Sequence, residues 1–299
     1  MPAIIVDHIS KNFGNLRAVD DVSFDVESGE IFGLLGPNGA GKTTSIRIIL
    51  DIFKPDSGKV SILGGEMSEA KKNAIGYLPE ERGLYQDIPL ERCLIYLATL
   101  KGLEESDARN KVAGFLERFD LADARKKKVK ELSKGMQQKA QLITTLIHKP
   151  SLVIIDEPFS ALDPVNTQMV KDLLREERAK GTAIVMCSHQ MHQVEELADR
   201  IALIHNGRTM LYGSLTDIRK KYATQSVIVR PISDLPVQID GVDEIVKQNS
   251  HYLLHLNKGV TSQQVLKTII EQGIELEQYE IAVPSLDEIF IEVVKETRE

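Results

Sequence analysis

Short, wholly apolar runs alternate with longer amphipathic stretches over the first 220 or so residues. The runs IFGLLG (31–36), AIGYL (74–78), LVIID (152–156) and AIVMC (183–187) are typical of buried strands, and polar or glycine-rich residues follow each one. The stretches between them have helical periodicity. This alternation predicts an α/β domain in which helices cover a sheet.

Strand-like runs stop between residue 86 and about residue 130. The segments PLERCLIYLATLKGL and SDARNKVAGFLERFD have the periodicity of two helices, and Ser106 is placed to cap the second one. We therefore expect a helical insertion at about 86–135 inside the α/β domain.

A domain boundary is expected between residues 220 and 225. Beyond it, SVIVRPI, YLLHLN and LEQYEIAV are strand-like, while TSQQVLKTIIEQG and SLDEIFIEVVKET are helix-like. Each of these helices opens with a capping box, Thr261 with Gln264 and Ser285 with Glu288. The pattern predicts a first domain at 1–222 and a small α+β domain at 225–299.

Composition and charge narrow the class of protein. The hydrophobic content of 42% and the charged content of 27% are typical of soluble globular proteins. The apolar runs are strand-sized, far below the roughly 18 residues of a membrane span. The N-terminus MPAIIVDHIS lacks the pattern of a secretory signal, and Cys93 and Cys187 are interpreted as small apolar residues in a reducing compartment. We therefore expect a cytosolic protein.

The negative charge lies near the C-terminus. Residues from Gln225 onward include 13 acidic and 6 basic side chains, so the first 224 residues carry no net charge. Because the chain has no basic surplus, we expect no nucleic-acid partner.

The segment GPNGAGKTT (36–44) matches the phosphate-binding pattern G-x-x-x-x-G-K-[ST] between a strand and a helix. Its backbone N–H groups and the positive end of the helix are suited to surround a β-phosphate. We expect Lys42 to bridge the β- and γ-phosphates, and the Thr43 hydroxyl to bind Mg²⁺. The residues expected to contact the nucleotide in this loop are Gly36, Pro37, Asn38, Gly39, Ala40, Gly41, Lys42, Thr43 and Thr44.

Further candidate catalytic residues follow other strands. Asp156 is suited to a magnesium shell and Glu157 to polarise an attacking water. Taken alone, such an acid pair is more often a helix cap and a surface acid, and a lone histidine such as His189 is more often structural. With Lys42 and Glu80, however, they all follow the carboxyl ends of predicted parallel strands, the edge at which open α/β sheets bind ligands. If those strands are neighbours, the side chains meet in one crevice.

With these motifs in this order, the first 220 or so residues resemble the nucleotide-binding subunit of an ABC transporter. GPNGAGKTT resembles the Walker A loop, LVIIDE the Walker B strand, and SALD, which ends at Asp163, the D-loop. The histidine of CSHQ, His189, is placed like the switch histidine. Phe13 in KNFGNLRAV is placed like the aromatic residue that stacks on adenine.

The segment ELSKGMQQ (131–138) resembles the signature motif of the same family. The resemblance implies that two subunits dimerise head to tail, and that Ser133 and Gly135 of one subunit close over the γ-phosphate of ATP bound to the other. It thus implies an ATPase that uses ATP and Mg²⁺, with Glu157 and His189 in hydrolysis. The second subunit would be another copy or a close paralogue.

The chain departs from the family pattern at two places. Lys134 and Met136 stand at the third and fifth signature positions, usually glycine and glutamine, while Ser133 and Gly135 are retained, so we expect function to survive. Glu80 stands where the family has a glutamine that contacts the metal. A carboxylate there can still bind Mg²⁺, but it adds negative charge near the phosphates.

LPEERGLY, the signature form LSKGM and the ending PSLDEIFIEVV resemble the sodium- and drug-export branch of this family. That resemblance implies a separately encoded, integral-membrane permease of the ABC-2 type as partner. It also implies a location in the cytoplasm, peripheral on the inner face of the cell membrane.

Two alternatives remain open from the sequence. The chain could be a non-transport ABC ATPase, acting as a regulatory factor or on ribosomes or nucleic acid. Such proteins usually carry two cassettes or a long coiled coil, and this sequence has one cassette and no heptad run. The small C-terminal domain could sense a ligand, or it could stabilise a dimer through the helix around Phe290.

Overall fold

The computed structural model describes residues 2–81, 83–223, 225–232, 235–236, 238–248 and 251–296. The chain divides into two compact units, residues 1–215 and 216–299. This division lies a few residues before the boundary expected from the sequence, since the helix Leu215–Tyr222 falls almost wholly in the second unit. Within the described part of the chain, no helix combines the length and the apolar character needed to cross a lipid bilayer.

The first unit contains strands, α-helices and two short 3₁₀ turns, at Ala122–Ala124 and Val129–Glu131. Its strands are β1 (Pro2–Phe13), β2 (Leu16–Glu27), β3 (Ile31–Leu35), β4 (Ser57–Ile62), β5 (Ile75–Leu78), β6 (Leu152–Asp156), β7 (Ala183–Ser188), β8 (Arg200–His205) and β9 (Arg208–Ser214). Its helices are α1 (Lys42–Ile49), α2 (Glu69–Asn73), α3 (Leu90–Leu100), α4 (Glu105–Arg118), α5 (Lys134–Leu146), α6 (Pro164–Ala179) and α7 (Met191–Glu195).

A six-stranded sheet lies at the centre of this unit, in the order β5-β6-β7-β3-β8-β9. Neighbouring strands are parallel from β5 to β8, and β9 is antiparallel to β8. Every residue of β3, β6 and β7 is buried, which explains why these strands are continuous apolar runs. The predicted α/β class and the four predicted strands are confirmed.

A second, antiparallel sheet in the order β2-β1-β4 packs on the central one. Phe24 of β2 stacks on Phe32 of β3, with ring centroids 5.2 Å apart. Ile4 and Val22 belong to the same buried cluster as Leu34. The sequence patterns did not predict this sheet, because shifts of register interrupt the alternation of buried and exposed residues along its strands.

The predicted helical insertion is present as α3 and α4. Cys93 and Leu94 of α3 and Val112 of α4 are fully buried, so apolar stripes on the two helices are covered. The predicted cap at Ser106 is wrong. Glu104, whose backbone is extended with ψ of 143°, precedes the first helical residue, so Ser106 lies inside the first turn.

The second unit is built on an antiparallel sheet. Its apolar side packs against a helix through Val265 and Ile269, which contact the cluster containing Val227 and Leu254. Both predicted capping boxes are confirmed. The sheet order is β11-β12-β10-β13, and the elements are α8 (Leu215–Tyr222), β10 (Ser226–Pro231), β11 (Val242–Gln248), β12 (His251–Leu256), α9 (Ser262–Glu271), β13 (Leu276–Ile281) and α10 (Leu286–Glu296).

Candidate functional site

The carboxyl edge of the central sheet brings together most of the residues expected to act on a nucleotide. Strands β5, β6, β7 and β3 are neighbours, so the segments that follow them lie along one side of the sheet. Lys42, Glu80, Asp156 and Glu157 line a cleft of about 510 Å³ at this edge. His189 does not line the cleft, but it contacts the carboxylate of Glu157. The prediction that these side chains meet in one crevice thus agrees with the positions of Lys42, Glu80 and Asp156, but not with that of His189.

The loop between β3 and α1 uses backbone conformations that favour glycine. Gly36, Gly39 and Gly41 have φ of 146°, 79° and 108°. A Cβ on Gly36 would lie 2.1 Å from the carbonyl oxygen of Ile204, and one on Gly41 would lie 2.4 Å from that of Ala18. Any side chain at these two positions would therefore displace the backbone. The resulting cradle ends at the N-terminus of α1, an arrangement suited to bind phosphate.

Two polar side chains of the first turn of α1 face this loop and the neighbouring strand. Lys42 is 7% exposed, and its Nζ donates hydrogen bonds to the carbonyls of Gly36 (2.6 Å) and Pro37 (3.1 Å). Thr43 Oγ1 donates to Asp156 Oδ2 at 3.2 Å. A hydroxyl and a carboxylate are thus adjacent, and both are oxygen ligands of the kind that Mg²⁺ prefers.

Asp156 lies at the end of β6 and is 3% exposed. Burial raises the pKa of its carboxyl group, and the negative charges of Glu157 and Glu80 act in the same direction, against the hydrogen bond from Thr43 and the charge of Lys42. Among the residues that the structure describes, no three His, Cys, Asp or Glu side chains are arranged to hold a metal ion by themselves. A magnesium ion at Thr43 and Asp156 would therefore take further ligands from phosphate and water, as is common for this metal.

Glu157 is held by contacts to the end of β7. Its Oε1 accepts hydrogen bonds from the backbone N–H of His189 (2.9 Å) and lies 2.6 Å from His189 Nδ1, while its Oε2 accepts from Ser188 Oγ (3.0 Å). Its backbone N–H donates to the carbonyl of Cys187 at 3.0 Å. The residue has φ of 52°, a left-handed conformation that is uncommon outside glycine. Ser188 was not singled out from the sequence, because a lone serine after a strand has no distinguishing pattern.

The opposite wall of the cleft is aromatic. Phe13 is 42% exposed and lines the cleft, with the ring of Phe53 edge-on at 5.4 Å and Lys11 Nζ 5.8 Å from its centroid. Arg17 also lines the cleft and forms an ion pair with Asp20. The sequence did not identify Arg17, since it belongs to no motif with a fixed spacing. Of the predicted loop residues, those from Asn38 to Thr44 line the same cleft.

The residues of the signature segment lie elsewhere. Ser133 caps α5, its Oγ accepting a hydrogen bond from the Met136 N–H at 3.2 Å. Ser133 and Lys134 are exposed. Neither they nor Gly135 line the cleft of their own chain.

Asp163 also caps a helix and does not line the cleft. Its Oδ1 accepts a hydrogen bond from the backbone N–H of Asn166 at 2.9 Å, and its Oδ2 accepts from the Asn166 side chain. The backbone N–H of Asn166 lowers the pKa of the Asp163 carboxyl group. The Asp163 side chain therefore caps the N-terminus of α6, at the end of the loop that leads there from β6.

The cleft combines a glycine cradle before a helix, a buried lysine, and an adjacent hydroxyl and carboxylate, all at the edge of a parallel sheet. This combination defines a P-loop NTPase. Comparison with known proteins narrows this class. Residues 19–160 match the family model described as ABC transporter, and residues 213–294 match the C-terminal domain of the ATP-binding protein DrrA1-3-like family. A solved ATP-binding subunit of an ABC transporter superposes with a TM-score of 0.69 at 32% identity, over 74% of this chain and 93% of that one.

Relatives of the same kind span nearly the whole chain. YhaQ of Bacillus subtilis (strain 168), an uncharacterized ABC transporter ATP-binding protein, is 38% identical over 97% of this chain and 98% of its own length. The daunorubicin resistance ATP-binding protein DrrA3 of Streptomyces coeruleorubidus is 30% identical over 99% of this chain and 97% of its own. The chain belongs to the family of ABC transporter ATP-binding proteins, and its C-terminal unit is of the DrrA-like type.

Proposed function

We propose that this chain hydrolyses ATP to energise export of a small molecule or ion through a separately encoded permease of the ABC-2 type. The family membership supports the ATPase activity, and the name of DrrA3, a drug-resistance protein, supports export. The observation that carries the proposal is the position of the Glu157 carboxylate, fixed by Ser188 and His189 beside the cleft that Lys42 and Asp156 line.

The loop 36–44 and Lys42 bind the phosphate chain in this proposal. The Lys42 ammonium already lies against the carbonyls of the loop, so its charge is in place and only its hydrogen-bond partners change when phosphate oxygens arrive. Phe13 stacks on the adenine through its exposed ring. Both contacts favour binding, and neither alone breaks a bond.

The residues Thr43 and Asp156 would hold Mg²⁺, because their oxygens are adjacent and the carboxylate is buried. Glu80 lines the same cleft and is the third oxygen ligand that the chain offers. When bound, Mg²⁺ neutralises charge on the β- and γ-phosphates and orients them. The negative charges of Glu80 and Glu157 near Asp156 favour a cation at this position.

Glu157 accepts the proton of the attacking water. The contacts of its Oε1 to His189 and of its Oε2 to Ser188 hold the carboxylate plane, and Oε2 has capacity for a further hydrogen bond from water. His189 stays in contact with Glu157 and stabilises the charge that develops on the γ-phosphate. The two residues therefore act as one unit.

A second subunit completes the site. Ser133 and Lys134 at the N-terminus of α5 are exposed and do not line the cleft of their own chain, so they are available to a nucleotide held by another chain. ATP then contacts both subunits only when they are closed, and its γ-phosphate biases the closed state. The partner is a second copy or a close paralogue, and the permease holds the pair at the membrane.

The substitution Glu157→Gln tests this function. The amide keeps the size of the side chain but removes the base, so the variant should bind ATP with unchanged affinity, lose turnover, and accumulate ATP-bound dimers. Phosphate release, nucleotide affinity and dimer mass are measured on the same preparation. These three measurements show whether the variant has lost hydrolysis while keeping ATP binding and dimer formation. Hydrolysis at the wild-type rate would remove Glu157 from its proposed role.

A further inference from the structure

The segment from Glu157 to Asp163, which follows β6, is held along its length by α5. Gln138 of α5 is 8% exposed, and its Nε2 donates hydrogen bonds to the carbonyls of Glu157 (3.3 Å) and Pro158 (3.2 Å). At Gly135 a Cβ would lie 2.9 Å from the carbonyl oxygen of Ala161, so the helix approaches this segment closely.

The far end of the same segment is held by a second side chain of α5. Lys139 is 6% exposed, and its Nζ donates to Asn166 Oδ1 at 3.3 Å. The Asn166 side-chain amide in turn donates to Asp163 Oδ2. The first turns of α5 thus contact the beginning and the middle of the segment directly and are linked to its end through Asn166.

Glu157 needs such support because of its backbone. Its φ of 52° lies in the left-handed region, which a residue with a side chain keeps only when its surroundings hold it there. Its N–H is held by the Cys187 carbonyl and its carboxylate by Ser188 and His189. The remaining polar group, its carbonyl, accepts from the side chain of Gln138 and from the backbone N–H of Ser160, both at 3.3 Å. Of these two donors, Gln138 is the one that belongs to α5.

We propose that Gln138 is a positioning residue for ATP hydrolysis, which holds the backbone of Glu157 so that the carboxylate faces the cleft. The inference rests on the proposed role of Glu157. Because Gln138 lies on α5, five residues after its cap Ser133, the helix whose N-terminus is proposed to meet the partner's nucleotide also orients the base of its own chain. A displacement of α5 on closure is therefore transmitted to the Glu157 backbone through the hydrogen bond to its carbonyl and the adjacent one to the carbonyl of Pro158.

The test is the substitution Gln138→Met, which keeps the length and bulk of the side chain but removes both donors. The purified full chain is assayed for kcat and KM for ATP, for binding of a fluorescent ATP analogue, and for unfolding temperature. A small misplacement of a catalytic group is expected to lower kcat by about tenfold or more. Because Gln138 does not itself line the cleft, KM and analogue affinity should stay within about twofold.

Thr145→Val is the matched control. Thr145 lies further along α5, is 3% exposed, and donates from Oγ1 to the carbonyl of Gln141 at 2.9 Å. The control therefore loses a buried hydrogen bond of the same helix at nearly constant side-chain size, but none to Glu157 and none to the segment that precedes Ser133. We expect a fall in unfolding temperature with kcat within about twofold of wild type.

Unchanged kcat in Gln138→Met, an equal loss of kcat in Thr145→Val, or a rise in KM with unchanged kcat in Gln138→Met would each overturn the proposal. If Gln138→Met does not fold, Gln138→Asn decides, since it keeps the amide but withdraws it by about 1.5 Å and should also lower kcat. Glu157→Gln is assayed in parallel. Wild-type activity in Glu157→Gln would overturn the function proposed for that residue, whereas an inactive Glu157→Gln beside a fully active Gln138→Met would overturn only the role of Gln138.

Discussion

Replacing Asp156 with asparagine should separate two effects of the buried carboxylate. The carboxylate destabilises the folded state of the free protein, and it stabilises the complex with Mg²⁺ and nucleotide. Asparagine has the same shape, and its side-chain oxygen can still accept the hydrogen bond from Thr43. In the absence of nucleotide and metal, the change removes a buried negative charge that lies near Glu157 and Glu80. We therefore expect the free variant to unfold at the wild-type temperature or above it.

The expected effect reverses when Mg²⁺ and a non-hydrolysable ATP analogue are present. At a ligand concentration 100 times its dissociation constant, binding stabilises the wild type by about 2.7 kcal/mol. For a unit of this size that corresponds to a rise of about 5–11 °C in unfolding temperature. Partners in the outer shell of a metal are worth about 10–100-fold in affinity, so loss of a direct carboxylate ligand should cost at least about 100-fold. At the same ligand concentration the variant then gains only about 0.4 kcal/mol.

Thermal unfolding with and without the analogue, each in Mg²⁺ and in EDTA, measures both effects. Asp172→Asn is the control, because Asp172 is an exposed carboxylate on α6 outside the cleft. A variant at position 156 that keeps the full magnesium-dependent rise would refute the assignment of the metal. A free variant that unfolds several degrees lower would refute the expectation that the ionised carboxylate opposes folding.

Other substitutions test separate parts of the first unit. Gly41→Ala should abolish nucleotide binding in an equilibrium titration and lower stability by about 1–3 kcal/mol, because φ is 108° and the new methyl group would meet the Ala18 carbonyl; wild-type affinity would contradict this. Phe13→Ala should weaken ATP binding by about 1–3 kcal/mol, measured by the same titration, whereas equal affinities for ATP and its triphosphate-only fragment in the wild type would show that no stacking occurs. Burial, together with the charge of Lys101, lowers the pKa of His148 to about 4, so the folded state favours the neutral ring. The stability that the neutral ring allows is present above about pH 6.5 and is lost as the pH falls towards 4. His148→Gln should therefore remove up to about 3 kcal/mol of the fall in the free energy of unfolding over this range, measured by denaturant unfolding at several pH values; an unchanged pH dependence would contradict this.

The strands and loops of the nucleotide cleft were predictable because their signals are local. A wholly buried parallel strand is a continuous apolar run, and the loop at 36–44 needs glycine at fixed positions for reasons of φ and close approach. Once the strands are neighbours, the residues after them must share one edge. Lys42 and Asp156 are therefore brought together by topology that the sequence pattern already indicated.

Features that depend on distant contacts were not predictable. The antiparallel sheet β2-β1-β4 has half-buried, irregular strands, and β11 has a polar pattern, VDEIVKQ, that indicates no strand by periodicity. Ser106 has the right chemistry for a cap, but the extended backbone at Glu104 starts the helix earlier. The contacts from Gln138 and Ser188 to Glu157 join residues 19 and 31 positions apart, and no pattern of spacing marks them.

A mixing experiment asks whether two chains share each site. Lys42→Ala disables the phosphate loop of its own chain. Ser133→Arg disables the signature segment, which is proposed to contact the nucleotide bound to the partner chain. In an equimolar mixture about half of the dimers are mixed, and each of these keeps one intact site, so ATP hydrolysis should recover to about a quarter of the wild-type rate. If the mixture hydrolyses ATP no faster than either variant alone, while wild type prepared in the same way is active, the shared site does not exist.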